Sequence, residues 1–577
     1  MPLPFKYDEP FVLLDFDGRR EFFRRPSRVI EVRQPSEVES ALDELRGRSA
    51  AGFISYEAGY SLEPKLKHLA TAPGAGDPPL LWFGLFDHGP EDCPDLPDPA
   101  GAWLSAPEPM IAETDYAGHL LRLEEHLLAG NIYQANFTFP AEVRFSGHPL
   151  ALYAQLQSRA QARWSAVVFT GEHWIISCSP ELFFTLADGR VTTRPMKGTA
   201  PPDSNPEQLR ADPKQRAENL MIVDLLRNDV SKVAVPGTVE VPNLLEVERY
   251  PTVLQMTSTV TAELERGLDA VDVIRAMFPC GSVTGVPKIS AMQIIHAEEA
   301  APRGVYTGSI GRISANGDAA FNVAIRTLAV RAGSDRAVLG LGSGIVADSN
   351  AADEWRECAQ KGKFVATPVS FDLIETMRIV DGLVANLDLH LDRLAASAEY
   401  FEFRFDREDT VLKVQHAAAD VSGARLRLTL TSAGDVTLEK AALIDRPNEV
   451  SVALAPLPVD SADFRLRHKT TDRAFYDEAR ISSGCGEVVF YDRDGFITEG
   501  SFTNVFARRD GKLVTPPLAR GLLPGVLRRR LIERGEAVEG DLTPDDLRDG
   551  IFIGNSVRGL VPAKLRSSVR EPKEACN

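Results

Sequence analysis

The stretch FVATPVSFDLIETMRIVDGLVANLDLHLDRLAASAEYFEF, residues 364–403, divides the chain. Its opening, FVATPVSFDL, reads as a join. The part that follows reads as a β-hairpin and then an amphipathic helix, and Val380-Asp381-Gly382 supplies the hairpin turn. The spacing therefore predicts a boundary near residue 368, with one unit over 1–367 and a second over 368–577. The first is large enough for a sizeable α+β core, and the second has an ordinary single-domain size.

Upstream of the join, strand-like and helix-like runs mix. WSAVVF (164–169), WIISCS (174–179) and AVLGLG (337–342) read as strands. Residues 116–129, 217–228 and 351–361 read as helices. The Pro- and Asp-rich stretch 87–109 reads as a surface excursion. A second set of strands and helices follows the join.

Bulk properties exclude several classes. The 577 residues are 44% hydrophobic and 25% charged, as in ordinary globular proteins. The formal net charge of −18 makes the chain a poor general binder of nucleic acid or of an anionic membrane. An anionic substrate must then be met by a local cluster of Arg and Lys. The six cysteines, at 93, 178, 280, 358, 485 and 576, form no CxxC pair, so neither a zinc site nor a disulfide framework is expected. The N-terminus MPLPFKYDEP lacks secretory features, and no apolar run reaches membrane-spanning length. A cytoplasmic location is the expectation.

Two acidic helices carry the first candidate chemistry. In AENLMIVDLLRND (217–229), Glu218 shares a helical face with Met221, Ile222 and Leu225. A carboxylate on so apolar a stripe needs a cation: an arginine or a metal ion would serve. In DSNAADEWRECAQK (348–361), Glu354, Glu357 and Lys361 fall on one side, which suits an exposed ion pair. Two Glu from different helices, with no His or Cys nearby, would also suit a hard ion such as Mg2+. Between them lies FPCGSVTGVPK (278–288), whose glycines allow either a tight loop or an anion nest. LGLGSGIVADS (339–349) is Gly-rich but has no GxGxxG spacing and no βαβ context, which argues against a dinucleotide site.

Together with GFISYEAG (52–59), GNIYQANFT (130–138), SPELFF (179–184), RPMKGT (194–199), RGVYTGSIG (303–311), FNVAIRT (321–327) and GSGIVADS (342–349), these segments resemble the chorismate-utilising enzymes over residues 50–363. The resemblance implies a β-sandwich with helices, and within the family Lys197 is diagnostic. Aminodeoxychorismate synthases carry lysine there and anthranilate synthases typically alanine. By that resemblance Lys197 is a covalent nucleophile at C2 of chorismate, and ammonia then enters at C4 as the lysine leaves. Glu181 matches the general acid for the departing 4-hydroxyl. Glu218 and Glu357, supported by Glu354, match the Mg2+ ligands. Tyr306, Arg326, Gly344 and Lys361 match the substrate-holding positions. No segment is expected to house a glutaminase, since SGCGEVVF around Cys485 lacks the companion residues. The implied partner is a separate glutamine amidotransferase subunit supplying ammonia. The first 50 residues resemble the family loosely and are assigned no chemistry.

The second constellation comprises LHLDRL (389–394), RHKTTDR (467–473), GFITEGSFTNVF (495–506), GLLPGVLR (521–528) and FIGNSVRGLVPA (552–563). Lys469 sits among Arg467, His468 and Arg473, a cationic setting that would lower its pKa; an exposed basic loop is the plainer alternative. The set resembles fold-type IV pyridoxal phosphate enzymes over residues 371–565, which implies a two-subdomain fold. By position Lys469 matches the cofactor lysine, Glu499 the partner of the pyridinium nitrogen, and Arg393, Val526, Leu527 and Ser556 the phosphate-holding positions. The family's usual first hairpin is shortened here, since FDLIETMR follows the join directly.

These resemblances imply p-aminobenzoate synthesis for folate: amination of chorismate, then loss of pyruvate from aminodeoxychorismate with pyridoxal 5'-phosphate as cofactor. Three other readings stay open. The C-terminal unit could be a silent module, or a D- or branched-chain amino-acid aminotransferase, and the first unit could be an anthranilate synthase. Fold-type IV enzymes are commonly dimers, so the resemblance allows a homodimer through the C-terminal unit.

Overall fold

The computed structural model describes residues 9–250, 253–443, 446–548 and 550–566. Cys576 and most of the MPLPFKYDEP segment lie outside the described residues.

Two large antiparallel sheets form the first part. One orders Gln134–Ser146, Arg336–Ile345, Thr327–Arg331, His173–Ser179, Trp164–Phe169, Phe11–Phe16 and Arg19–Arg24 side by side. The other includes Val253–Glu263, Arg190–Arg194, Leu182–Ala187, Ala319–Asn322, Ser309–Ile313, Ala50–Ile54, Leu81–Leu85 and Arg28–Val32. Strand alternation explains why they stack. In Phe11–Phe16, Val12 and Leu14 join the cluster between the sheets, with Phe53, Trp82 and Ile310, whereas Phe11 and Leu13 join an outer cluster. Helices Glu113–Leu128 and Pro149–Ala160 cover that outer face, and helices Val38–Asp43, Pro213–Ser231 and Ala270–Met277 cover the other sheet. The expected strands of this part fall within these strands, and the expected helices match Glu113–Leu128, Pro213–Ser231 and Ala351–Gly362, with ends differing by no more than four residues.

Among the described residues, no strand before residue 346 shares a sheet with one after residue 372. The small four-stranded sheet contains the expected hairpin, Leu373–Val380 to Leu383–Val384, with Asp381 and Gly382 both at positive φ in its turn. Helix Leu387–Tyr400 packs on this sheet through Leu391, Leu394 and Ala398. An eight-stranded mixed sheet, with parallel pairing of Val450–Pro456 to Glu487–Tyr491, completes the second part. No helix among the described residues is long and apolar enough to cross a membrane.

The two parts touch through specific residues. Trp103 is buried within the aromatic cluster of the small sheet, with ring centroids 5.4 Å from Tyr400 and 5.0 Å from Phe401. The Tyr400 hydroxyl donates to the Phe145 carbonyl across 3.1 Å, and Arg144 pairs with Glu402.

Candidate functional sites

The first site lies where three distant segments meet. Strand Met196–Ala200 carries Lys197. Helix Pro213–Ser231 carries Glu218, and its Asn219 side chain donates to the Lys197 carbonyl at 3.3 Å while accepting from Ser258 Oγ at 2.7 Å. Glu181 sits in the bend between strands His173–Ser179 and Leu182–Ala187, 4% exposed, with Oε1 lacking a hydrogen-bond partner among the described residues.

The electrostatics oppose one another. Burial pushes the Glu181 carboxyl up to about 7, against the pull of Ser282 and Lys197. Burial also lowers the pKa of Lys197, with Lys361 pressing the same way and Glu181, Glu218 and Glu357 resisting. A proton-donating carboxyl thus stands near an amine that loses its proton more readily than an ordinary lysine.

Glu218 makes no hydrogen bond or ion pair among the described residues, and burial raises its pKa, as does the Glu357 carboxylate. Burial also works against the Glu357 charge, yet Lys361 at 2.7 Å outweighs it and lowers its pKa. Glu354 instead accepts from Ser349 Oγ at 2.7 Å. The expected exposed i,i+4 ion pair is therefore present, and the Glu357 charge still reaches Glu218. Among the described residues no group of three His, Cys, Asp or Glu is arranged to hold a metal ion. A hard ion here would complete its shell with water and substrate oxygens.

Three glycines of strand Arg336–Ile345 clear one face for the site. A Cβ on Gly340 would come within 2.1 Å of the Tyr306 ring, and one on Gly344 would lie 2.5 Å from Gln134 Nε2 and 3.7 Å from Lys197 Nζ. Four residues of strand, roughly 13 Å, separate the glycine beneath Tyr306 from the glycine beside Lys197. Tyr306 lines a cavity of about 700 Å3 that Lys197 does not. Lys361 donates to the Gly342 carbonyl at 3.0 Å. The Arg326 guanidinium is half-buried 6.0 Å from the Phe364 ring and has no carboxylate partner among the described residues.

The loop 278–288 is accounted for by close packing. A Cβ on Gly281 would strike Leu225, and one on Gly285 would strike the Gln134 carbonyl. Val283 and Thr284 use their amides within the loop, so the open-nest alternative loses ground. Lys288 at its end pairs with Asp229 of the LLRND segment, which joins the two motifs.

The second site is a cavity of about 710 Å3 between the small and the eight-stranded sheets. Lys469 lines it, half-buried, and Nζ has no partner among the described residues. Its ammonium pKa falls to about 7. Burial is the largest cause, followed by Arg473, a member of the expected cationic cluster, and by Arg393 from the helix Leu387–Tyr400; Arg467, the cluster's other arginine, points to solvent. Glu499 is buried, accepts from the Tyr476 hydroxyl and from Leu523 N at 3.1 Å, and is raised by burial to about 7.

Val526 and Leu527 open helix Val526–Glu533 at the cavity edge, with Gly525 pressed so close to Asn504 that a Cβ would overlap it. Ser556 Oγ meets His390 Nε2 at 2.8 Å. Arg393 lines the cavity, but two of its nitrogens bind Glu375, at 2.8 and 2.7 Å, and a third reaches the Pro524 carbonyl. Asn219, Gln134, Tyr476 and the Glu375–His390 pair were not legible as site residues. Each acts through a contact made across fifteen or more residues of sequence.

Residues 7–367 match the family described as chorismate binding enzyme, and residues 372–565 match class IV amino-transferases. Aminodeoxychorismate synthase component 1 of Klebsiella aerogenes is 37% identical over 335 residues, covering 52% of this chain and 74% of that one. Anthranilate synthase component 1 of Streptomyces coelicolor is 38% identical over 267 residues, 45% of this chain and 52% of that one. The solved structure of anthranilate synthase component I from Streptococcus pneumoniae TIGR4 aligns with 63% of this chain and 91% of its own, at 25% identity and a TM-score of 0.50. The chain belongs to the chorismate binding enzyme family and carries a class IV amino-transferase domain on its C-terminal side.

Proposed function

We propose that the chain makes p-aminobenzoate in two steps, with units meeting near residue 368. Chorismate and ammonia give 4-amino-4-deoxychorismate and water; the second step gives p-aminobenzoate and pyruvate. The observation that carries this reading is the Lys197 amine beside the Glu181 carboxyl, with opposed pKa shifts.

In the first step the free amine of Lys197 attacks C2 of the ring, and Glu181 gives its proton to the 4-hydroxyl as it leaves. Ammonia then bonds to C4, and the C2–N bond breaks to return the lysine. Arg326, a guanidinium with no carboxylate partner among the described residues, and Lys361 suit the substrate carboxylates. Glu218 and Glu357 would hold Mg2+, and the orphaned Glu218 carboxylate fits that role. A bound Mg2+ would supply charge to the ring carboxylate and the departing hydroxyl. An anthranilate synthase has no use for a lysine nucleophile here. The relatives named component 1 support a separate glutaminase partner that delivers the ammonia.

In the second step Lys469 would hold pyridoxal 5'-phosphate, and Glu499 would sit at its ring nitrogen. The half-buried lysine, with no partner among the described residues, and the buried carboxyl fit the group. Bound, the cofactor supplies an electron sink at C4 of the substrate. Lys469, near neutrality in its pKa, takes the C4 proton and returns one as pyruvate leaves.

The test is an end-product assay on the purified chain with chorismate, Mg2+, pyridoxal 5'-phosphate and a high concentration of an ammonium salt. p-Aminobenzoate and pyruvate should appear together. Accumulation of aminodeoxychorismate would leave the first step standing and remove the second; anthranilate would overturn the first.

A further inference from the structure

The cavity around Lys469 holds more positive charge than its own residues balance. Arg393 is bound to Glu375, and Arg480 pairs with Asp477 at 3.0 Å. Arg425 and Arg427 also line the cavity, and neither side chain has a hydrogen bond or ion pair among the described residues. They sit two residues apart on strand Gly423–Leu430 and so point to the same face.

That face is set against itself. Arg425 lies directly opposite Arg378 on the neighbouring strand, a like-charge pair that weakens a sheet. Arg427 stands opposite Glu439 on the other side, yet the two form no ion pair. On the far wall Arg558 comes from the turn between strands Ile551–Asn555 and Gly559–Leu565. It lies over the Phe502 ring, 4.9 Å from its centroid, and also lacks a carboxylate. A fold gains nothing from uncompensated cations facing one cavity from two subdomains; an anionic ligand does.

We propose that Arg425 and Arg427 on one wall, and Arg558 on the other, hold two separate carboxylates of the substrate that reacts at Lys469. The site then selects a ring-borne dicarboxylate over a monocarboxylic amino acid. A cofactor phosphate would have its own donors in the helix beginning at Val526 and in Ser556, which leaves these three arginines for the substrate. The proposal rests on the reading of the cavity as the second reaction site.

Isophthalate and benzoate are the probes, titrated calorimetrically into the full chain saturated with pyridoxal 5'-phosphate. Isophthalate should bind about tenfold or more tightly than benzoate, as expected for one extra charge-assisted contact. Arg425→Gln with Arg427→Gln should remove most of that preference, as should Arg558→Gln, and Arg427→Lys should restore part of it. Any binding at the chorismate site is recognised because Lys197→Met changes it and the arginine variants do not. Arg425 and Arg427 are exposed and make no side-chain hydrogen bond or ion pair among the described residues, so their loss leaves the fold intact. Equal affinity for the two probes, or unchanged isophthalate binding in the double variant, overturns the proposal. The visible absorbance of bound cofactor is read in the same samples: its absence beside arginine-dependent isophthalate binding overturns the cofactor reading and leaves this one in place.

Discussion

Arg465 donates to Asp98 across 2.6 Å, and this bond ties the segment that carries Lys469 to the first part of the chain. Arg465 is 5% exposed and also holds Asp463 at 2.7 Å. Three residues on, the His468 ring stands 4.9 Å from Tyr400 and 4.6 Å from Phe401, the two rings that enclose Trp103. The first unit thus braces the backbone next to the second unit's lysine.

Removing the brace should be felt at the second site. Trp103→Ala leaves a hole among buried aromatics and should destabilise the C-terminal part by about 3–5 kcal/mol. Asp98→Asn should cost no more than about 1 kcal/mol, since Arg465 keeps Asp463. Thermal unfolding followed by tryptophan-independent far-UV dichroism checks both, and equal effects would sink this account of the interface.

Lys197→Ala should lower ammonia-dependent formation of aminodeoxychorismate by about 10³-fold or more, because a covalent route loses its nucleophile. Lys469 chemistry in the same protein should continue on supplied aminodeoxychorismate. A loss below tenfold would show that the amine only positions the substrate.

Glu181 has its carboxyl pKa raised to about 7, so its proton-donating form prevails below that pH. The first reaction, measured at constant free ammonia, should therefore fall as pH rises through about 7. Glu181→Gln should slow it by about 10²–10⁴-fold and flatten that limb of the profile. A limb that survives the substitution belongs to another group.

Lys469→Ala should leave the first reaction unchanged and abolish pyruvate release, so that aminodeoxychorismate accumulates. The visible absorbance of bound cofactor should vanish with it. Pyruvate release by this variant at the parent rate would remove the lysine from the mechanism.

Glu375 tests the acid side of stability. Burial alone would raise its carboxyl, but Arg393 and His390 override it and hold the pKa at about 2. A depressed folded pKa stabilises the protein above the ordinary carboxylate value and loses that contribution as pH falls toward about 2. The C-terminal part should lose stability between about pH 4.5 and 2, and Glu375→Gln, destabilised near neutral pH, should lose less over the same range. Parallel pH curves for the two proteins would contradict the ion-pair assignment.

The sequence alone was enough for the hairpin at Asp381-Gly382, the helices bearing Glu218 and Glu357, and the motifs around Lys197 and Lys469. Those features are local: period, turn chemistry and ordered short motifs are written in consecutive residues. Other features were settled only by the tertiary structure. Burial leads the lowering of Lys469, ahead of the neighbouring Arg473 and Arg393, and burial raises Glu181 and Glu499. Arg393 is already bound by Glu375, Tyr306 faces a cavity apart from Lys197, and Arg465 reaches back to Asp98. The reason is physical. Desolvation and charge coupling depend on distances between residues far apart in the chain, and those distances exist only once the sheets have packed.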